Sequence, residues 1–261
     1  MTIHIKKQIA ALGEAVIKGL QEKFSYKDIT PFEYQCVMYN EAAKRIRNYE
    51  HPFFIKAAVS AGKTVGFAMI ASTCQRLGLP FMLLARQAEI VSQDSDELTN
   101  FGVKNSVYCA GLNTKAAYFP IIVGSEGTVV NGLDKALADY APLVMGIDEC
   151  HQVDWEDLAE AIEHDEPHEM MIRAATEAYM INGEVVPRGT AHHSFDTVDF
   201  GTGRAQYTII IMEMMRRCRK VHGRELRIFG MTGSEFRGVV PILQSSCRPC
   251  IGLRQSPDSP A

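Results

Sequence analysis

The chain has 261 residues, enough for one large domain or one domain with substantial decoration. A hydrophobic fraction of 46% and a charged fraction of 22% are those of an ordinary globular protein, which excludes a disordered or fibrous chain. A formal charge of −4 argues against a strongly cationic nucleic-acid coat, but a local basic groove depends only on where the charges sit. No apolar stretch is long enough to cross a bilayer, so no membrane partner is expected. The N-terminus, Met1-Thr2-Ile3-His4-Ile5-Lys6-Lys7, lacks a signal-peptide pattern, and a cytoplasmic location is expected. Seven scattered cysteines, an odd number, suit reduced thiols better than a disulfide framework.

In chain order, Ile5, Ile9, Leu12, Val16 and Leu20 recur at three- and four-residue spacing and predict an N-terminal amphipathic helix within 1–24. Residues 24–29 are too irregular to extend it. Thr30 as N-cap, Pro31 at the first helical position and Glu33 as capping-box partner then predict a helix to about Arg47. From Pro52 onward the pattern alternates. Strands are expected at 53–59, 81–85, 106–109, 121–123 and 143–147, and helices at 63–76, 87–98 and 127–138. Gly78-Leu79-Pro80 stops the first of these helices. Near-continuous apolar runs separated by helices indicate a mostly parallel sheet covered on both faces, hence an α/β fold.

Residues 155–206 break the rhythm and read as an insertion. It starts as an acidic helix, passes the turn chemistry of Asn182-Gly183 and Pro187-Arg188-Gly189, and reaches a polar, glycine-dotted stretch. A small helix plus a hairpin is expected there. Periodicity resumes in a helix at 207–220 and a strand at 226–231. The domain is therefore placed at 25–240, with an irregular Ser/Pro/Cys-rich tail at 241–261.

Two motifs carry chemistry. The first strand feeds Ser60-Ala61-Gly62-Lys63-Thr64 at a helix start. This matches the phosphate-loop pattern G-x-x-x-x-G-K-[ST], except that Ala57 stands where the first glycine would be. Loop N–H groups and the positive helix end suit phosphate oxygens, Lys63 supplies an ammonium, and the Thr64 hydroxyl suits Mg²⁺. The second motif, Asp148-Glu149-Cys150-His151, ends a buried strand. Asp148 is the natural magnesium partner and Glu149 the carboxylate that activates water against a γ-phosphate. Cys150 and His151 lack a second Cys/His pair at zinc spacing.

Asp148-Glu149-Cys150-His151 resembles the DEAD/DEAH-box signature of superfamily 2 helicases, and other stretches follow in that family's order. Phe32-Glu33-Tyr34-Gln35 resembles the glutamine motif, which implies that Gln35 pairs with adenine and that Phe24 or Tyr26 stacks on it. Ala85-Arg86-Gln87 through Gln93 resembles the segment that contacts the nucleic-acid backbone, implicating Arg86 and Gln87. Gly124-Ser125-Glu126-Gly127-Thr128 resembles the loop-to-helix motif that grips phosphates, implicating Gly127 and Thr128. Met231-Thr232-Gly233-Ser234 resembles the motif coupling nucleotide state to strand binding, with Thr232, Ser234 and His151 as the coupling residues.

The resemblance spans roughly residues 24–238 and implies the first RecA-like P-loop NTPase lobe of a helicase, with ATP and Mg²⁺ as cofactors and DNA or RNA as partner. Lys63, Asp148 and Glu149 would be catalytic. Ser60, Ala61, Gly62, Lys63, Thr64 and Gln35 would hold ATP, and Thr64 and Asp148 the metal. A complete helicase of this type has a second RecA-like lobe carrying arginine fingers. No such motif follows Ser234, and the ending is expected to be a truncation or frameshift product. A second lobe on another chain is then a candidate partner. The rival reading is a non-catalytic regulatory module that binds nucleotide or nucleic acid.

The remaining motifs favour structural readings. Cys247-x-x-Cys250 is a lone pair, Pro167 disfavours a helix presenting His164 and His168 together, and His192-His193 sits in a loop-like stretch. Arg216, Arg217, Arg219 and Lys220 lie near a helix C-terminus, where dipole and solvent account for them.

Overall fold

The computed structural model describes residues 10, 12–27, 29–57, 62–164, 178–181, 184–187, 205–233, 236–237 and 240–241. Its strands are β1 (Phe53–Lys56), β2 (Phe81–Ala85), β3 (Ser106–Cys109), β4 (Thr114–Lys115), β5 (Ile121–Ser125) and β6 (Val144–Asp148). They continue with β7 (Ala178–Ile181), β8 (Glu184–Pro187), β9 (Arg227–Thr232), β10 (Phe236–Arg237) and β11 (Val240–Pro241). The helices are α1 (Glu14–Phe24), α2 (Glu33–Asn48), α3 (Lys63–Leu77), α4 (Ala88–Asn100), α5 (Glu126–Val130), α6 (Trp155–His164) and α7 (Gln206–His222).

Seven strands form one sheet in the order β1-β9-β6-β2-β5-β3-β4. Every neighbouring pair is parallel except β3 with β4. The mostly parallel sheet follows from the apolar runs. Successive side chains of a strand face opposite ways, so a strand can be apolar throughout only if both faces are covered. In β2, Phe81, Leu83 and Ala85 enter one core while Met82 and Leu84 enter the other. The first core is closed by α1 to α4 through residues such as Ile17, Tyr39, Phe67 and Val91. The second is closed by α5, α6 and α7 through Val129, Leu158 and Ile210. Phe229 of β9 lies between the rings of Phe53, Phe67 and Phe81 at centroid distances of 6.0, 5.5 and 6.3 Å. The helix α1 is part of this body, since Ile17 and Phe24 are both core residues.

Expected and observed elements agree for β2, for β3 and, within a few residues, for α3, α4, α7, β6 and β9. Gly78 stops α3 as a left-handed C-cap at φ 67°. The helix and hairpin expected in the insertion are present as α6 and the antiparallel pair β7–β8.

Two expectations are corrected. The α2 helix starts at Glu33, later than the Thr30-Pro31 signal predicts. Gln21 of α1 donates its amide to the Pro31 carbonyl at 2.9 Å, and Thr30 bonds Ser25 at 3.1 Å, which holds both outside the helix. Phe32 becomes the N-cap, and Gln35, rather than Glu33, accepts its backbone N–H at 2.9 Å. The second correction concerns 127–138, expected as one helix. Only α5 is α-helical, and successive turns follow, with Gly132 N–H to Val129, Lys135 to Gly132 and Ala138 to Lys135.

Tertiary partners stabilise those turns. Arg217 of α7 is buried and donates to the carbonyls of Leu137, of Leu133 at 2.6 Å and of Tyr140 at 3.4 Å. Its charge is matched by the buried Glu213 one helical turn away, which also pairs with Arg216 at 2.7 Å. The basic run on α7 is therefore largely spent on internal pairs, since Arg219 also bonds Glu225 at 2.8 Å.

Replacing Arg217 by Met leaves three carbonyls and part of a buried carboxylate without a donor, and should cost about 3–5 kcal/mol in urea unfolding. The double variant Arg217→Met/Glu213→Leu should recover part of that loss, because no orphaned charge remains. A single-variant loss below about 1 kcal/mol would mean that Arg216 alone satisfies Glu213.

Candidate functional site

Parallel strands put all their carboxyl ends along one edge, and the polar motifs collect there. Along this edge come the loop from β1 into α3, then Thr232 ending β9, Asp148 ending β6, Arg86 after β2 and Glu126 after β5. Ser60, Ala61 and Ser234 lie outside the described residues, as do Cys247, Cys250, His168 and His192-His193.

Gly62 caps α3 in the left-handed region at φ 64°, where a side chain would be strained. A Cβ there would also collide with the Gln35 amide nitrogen, so α2 and the phosphate-loop turn meet at this point. Lys63 and Thr64 open α3, with Lys63 in its first position. The ammonium of Lys63 bonds Oε1 of Glu149, 86 residues away in sequence. Glu149 is in the left-handed region (φ 48°, ψ 48°), a conformation costing of order 1–3 kcal/mol for a residue with a side chain. That backbone turn lets its carboxylate face back over the sheet edge.

The other Glu149 oxygen joins a small network. His151 Nδ1 lies 3.1 Å from Glu149 Oε2 and 2.9 Å from Thr232 Oγ1, and the Thr232 hydroxyl donates to Oε2 at 3.4 Å. A carboxylate can only accept, so the imidazole proton belongs on Nδ1. Lys63, Glu149, His151 and Thr232, drawn from three strand ends, thus form one connected polar group.

Asp148 is buried, and its Oδ1 has no hydrogen-bond partner. Burial pushes its carboxyl above the ordinary carboxylate range, Lys63 opposes that, and Glu149 adds to it. Thr64 and Asp148 are hard oxygen donors that suit a small divalent cation completed by phosphate oxygens and water. Among the described residues no group of three or more His, Cys, Asp and Glu could hold a metal ion.

One residue of this neighbourhood escaped sequence reasoning. Asp94 of α4 is only 1% exposed, and neither carboxylate oxygen has a partner at hydrogen-bonding geometry. Burial first and the nearby Asp148 second raise its carboxyl to about 8, against the opposing pull of Thr64 and Lys63. Its signal was available: Val91, Asp94 and Leu98 are the buried residues of α4, so a carboxylate occupies its apolar stripe.

The aromatic expectation is corrected at Phe24. Phe24 is buried, edge-on to Tyr39 with centroids 4.6 Å apart, and has no face to offer. Tyr26 packs towards Gly102. The ring beside Gln35 is Phe32, 65% exposed and stacked on Tyr34 at 5.7 Å. Of the residues expected on nucleic acid, Arg86 is exposed and lies 3.3 Å from Glu126, and Gln87 caps α4. Thr128 is turned inward, its hydroxyl accepting the Ala110 N–H at 2.9 Å and bonding Ser125 at 2.8 Å.

A mostly parallel sheet with a Gly-Lys-Thr helix start beside an acidic strand end defines a RecA-like lobe of the P-loop class. Residues 28–177 match the family model described as "Type III restriction enzyme, res subunit". The chain belongs to that family, and its lobe is the first RecA-like lobe of superfamily 2 helicases. The fold is similar to T4 UvsW of bacteriophage T4, at 16% identity and TM-score 0.51, over 87% of this chain and 35% of that one. A second structure of the T4 UvsW helicase matches at 14% identity and TM-score 0.48, over 84% of this chain and 59% of that one. A hypothetical ATP-dependent RNA helicase from Sulfolobus tokodaii matches at 12% identity and TM-score 0.40, over 85% and 51%. The chain thus spans between about a third and three fifths of these relatives. No curated protein matches. Among the described residues no helix is long and apolar enough to cross a membrane.

The buried carboxyl of Asp94 makes a pH prediction. Its unfolded form titrates near 3.8 and its folded form near about 8, so between these values the folded chain keeps a proton that the unfolded chain has lost. Stability without divalent metal therefore falls as pH rises through that window. Asp94→Asn cannot titrate, so its melting temperature in chelator should gain on the wild type from about pH 5 to about pH 8. A difference independent of pH would show that Asp94 is ionised throughout.

Proposed function

We propose that this chain is the ATP-binding lobe of a superfamily 2 motor that hydrolyses ATP with Mg²⁺ and couples the nucleotide state to a DNA or RNA strand. The observation that carries this reading is the Lys63–Glu149–His151–Thr232 group beside Thr64 and Asp148. It joins a phosphate-binding turn, a water-activating carboxylate and a candidate coupling strand in one bonded set. Residues 25–240 act as the working domain.

The steps follow from the geometry. Phosphate binding draws the Lys63 ammonium away from Glu149 towards the phosphate oxygens, aided by N–H groups at the start of α3. Oε1 of Glu149 is then released to accept a proton from the attacking water, while His151 and Thr232 keep the carboxylate oriented through Oε2. Thr64 and Asp148 would hold Mg²⁺, which supplies charge neutralisation on the β- and γ-phosphates. Loss of the Lys63 bond alters the group that anchors Thr232, the last residue of β9. Nucleotide state thereby reaches the segment after β9.

Gln35 would read the adenine edge, and Phe32 would offer the base its exposed ring. Arg86, Gln87 and the start of α5 at Gly127 lie farther along the same edge and would face the nucleic-acid backbone. The family matched by residues 28–177 is described as a restriction-enzyme subunit, which supports a nucleic-acid substrate. The family resemblance assigns the arginine fingers to a second lobe.

Lys63→Ala should weaken ATP binding in calorimetry by about 1.5–3 kcal/mol, roughly 10- to 100-fold. Equal affinities in variant and wild type would sink the site assignment. Steady-state ATP turnover by the chain alone should be slow and should rise when a second lobe is added, since arginine fingers contribute about 10³–10⁵-fold in related NTPases. Fast, nucleic-acid-stimulated turnover by a proven monomer would overturn the need for that lobe.

A further inference from the structure

We propose that Asp94 is a positioning residue of the divalent-cation site, a buried carboxylate that orients the Thr64 hydroxyl and confines the cation between α4 and the end of β6. This rests on the nucleotide–Mg²⁺ reading of the same site and adds a residue to it that the phosphate-loop and acidic motifs do not contain.

Three observations converge. Asp94 is almost fully enclosed, and neither oxygen makes a hydrogen bond of good geometry, the Thr64 hydroxyl being the side-chain donor that interacts with it. A carboxylate in that state is tolerated when positive charge reaches it, because burying an unpaired charge is otherwise strongly unfavourable. Next, its polar neighbours are those of the cation site, namely Thr64, Asp148 and Lys63. Asp148 likewise has an unpartnered oxygen, so two carboxylates with open lone pairs flank the threonine hydroxyl. Finally, the Lys63 ammonium is bonded to Glu149, and in the proposed mechanism it would turn to the phosphates and not to Asp94 or Asp148. A divalent ion supplies two charges at the place where both are missing.

A carboxylate behind Thr64 accepts the hydroxyl hydrogen, or a proton from a cation-bound water, and leaves the hydroxyl lone pairs directed at the metal. Partners of this kind hold the metal-ligating atoms in place, and their removal typically costs about 10–100-fold in metal affinity. Neutral packing residues at position 94 would fill the apolar stripe of α4 equally well, which is why a test can separate the roles.

The test titrates Mn²⁺ into the full chain with ADP, read by electron paramagnetic resonance, for wild type, Asp94→Asn and Asp94→Leu. ADP affinity and melting temperature are measured alongside in chelator. Expected are Mn²⁺ affinities about 10–100-fold weaker in both variants, an ADP affinity in chelator within about twofold of wild type, and metal-free melting temperatures equal to or above it. The rise in melting temperature that Mn²⁺–ADP gives the wild type should shrink in both. If wild type and both variants bind Mn²⁺–ADP equally, this proposal falls while the nucleotide reading stands. If both variants lose ADP affinity in chelator and melt lower, Asp94 is structural and the proposal is overturned. If wild type binds ADP neither in chelator nor with Mn²⁺, the nucleotide reading is lost and this proposal with it.

Discussion

Both faces of a mostly parallel sheet must be buried, and the rest of this molecule is organised around that constraint. Parallel neighbours cannot be joined by tight hairpins, so each crossover carries the chain back over a face, mostly through a helix. The two cores that result are lined by apolar side chains of the central strands. Polar chemistry is displaced to the strand ends. Since β1, β9, β6, β2 and β5 all run the same way, one edge receives the phosphate-loop turn, the acidic pair and the Thr232 hydroxyl together.

At that edge the balance of charge is uneven. Lys63 and Glu149 satisfy one another, and His151 and Thr232 complete the carboxylate's partners. Asp148 and Asp94 keep oxygens with no partner. Carboxyl oxygens without partners therefore gather around Thr64, and they are the kind of atom a divalent ion takes as ligand. The left-handed backbone at Glu149 and at Gly62 shows where the chain accepts local strain to bring these groups face to face.

On the opposite side of the sheet the same economy of partners appears in a structural role. Arg217 satisfies the carbonyls of turns that a regular helix would have satisfied internally, and Glu213 balances its charge. The break after α5 thereby becomes compatible with burial of Leu133 and Leu137. Buried polar groups serve both regions, but those around Arg217 are satisfied and those around Asp94 are not, which distinguishes a brace from a ligand site.

The amino-acid sequence by itself determined the elements whose cause is local. Apolar runs such as 81–85 and 144–148 mark buried strands, and Gly78 ends α3 because only a residue without Cβ enters the left-handed cap cheaply. The ordered motifs likewise determined the family, because phosphate, metal and water each demand specific atoms at fixed spacing along the chain. Tertiary structure alone decided which groups are partnered. Gln35 replaces Glu33 as the capping-box partner of α2 because α1 holds Pro31 outside the helix. The stretch 127–138 gives up its helix because Arg217, about 80 residues on, satisfies its carbonyls. Asp94, one more polar residue in a periodic helix when read along the chain, becomes a buried carboxyl at the candidate cation site because α4 packs its apolar stripe towards α3 and the sheet. Local patterns fix backbone conformation, whereas hydrogen-bond partners and burial are set by residues far apart in the chain and near in space.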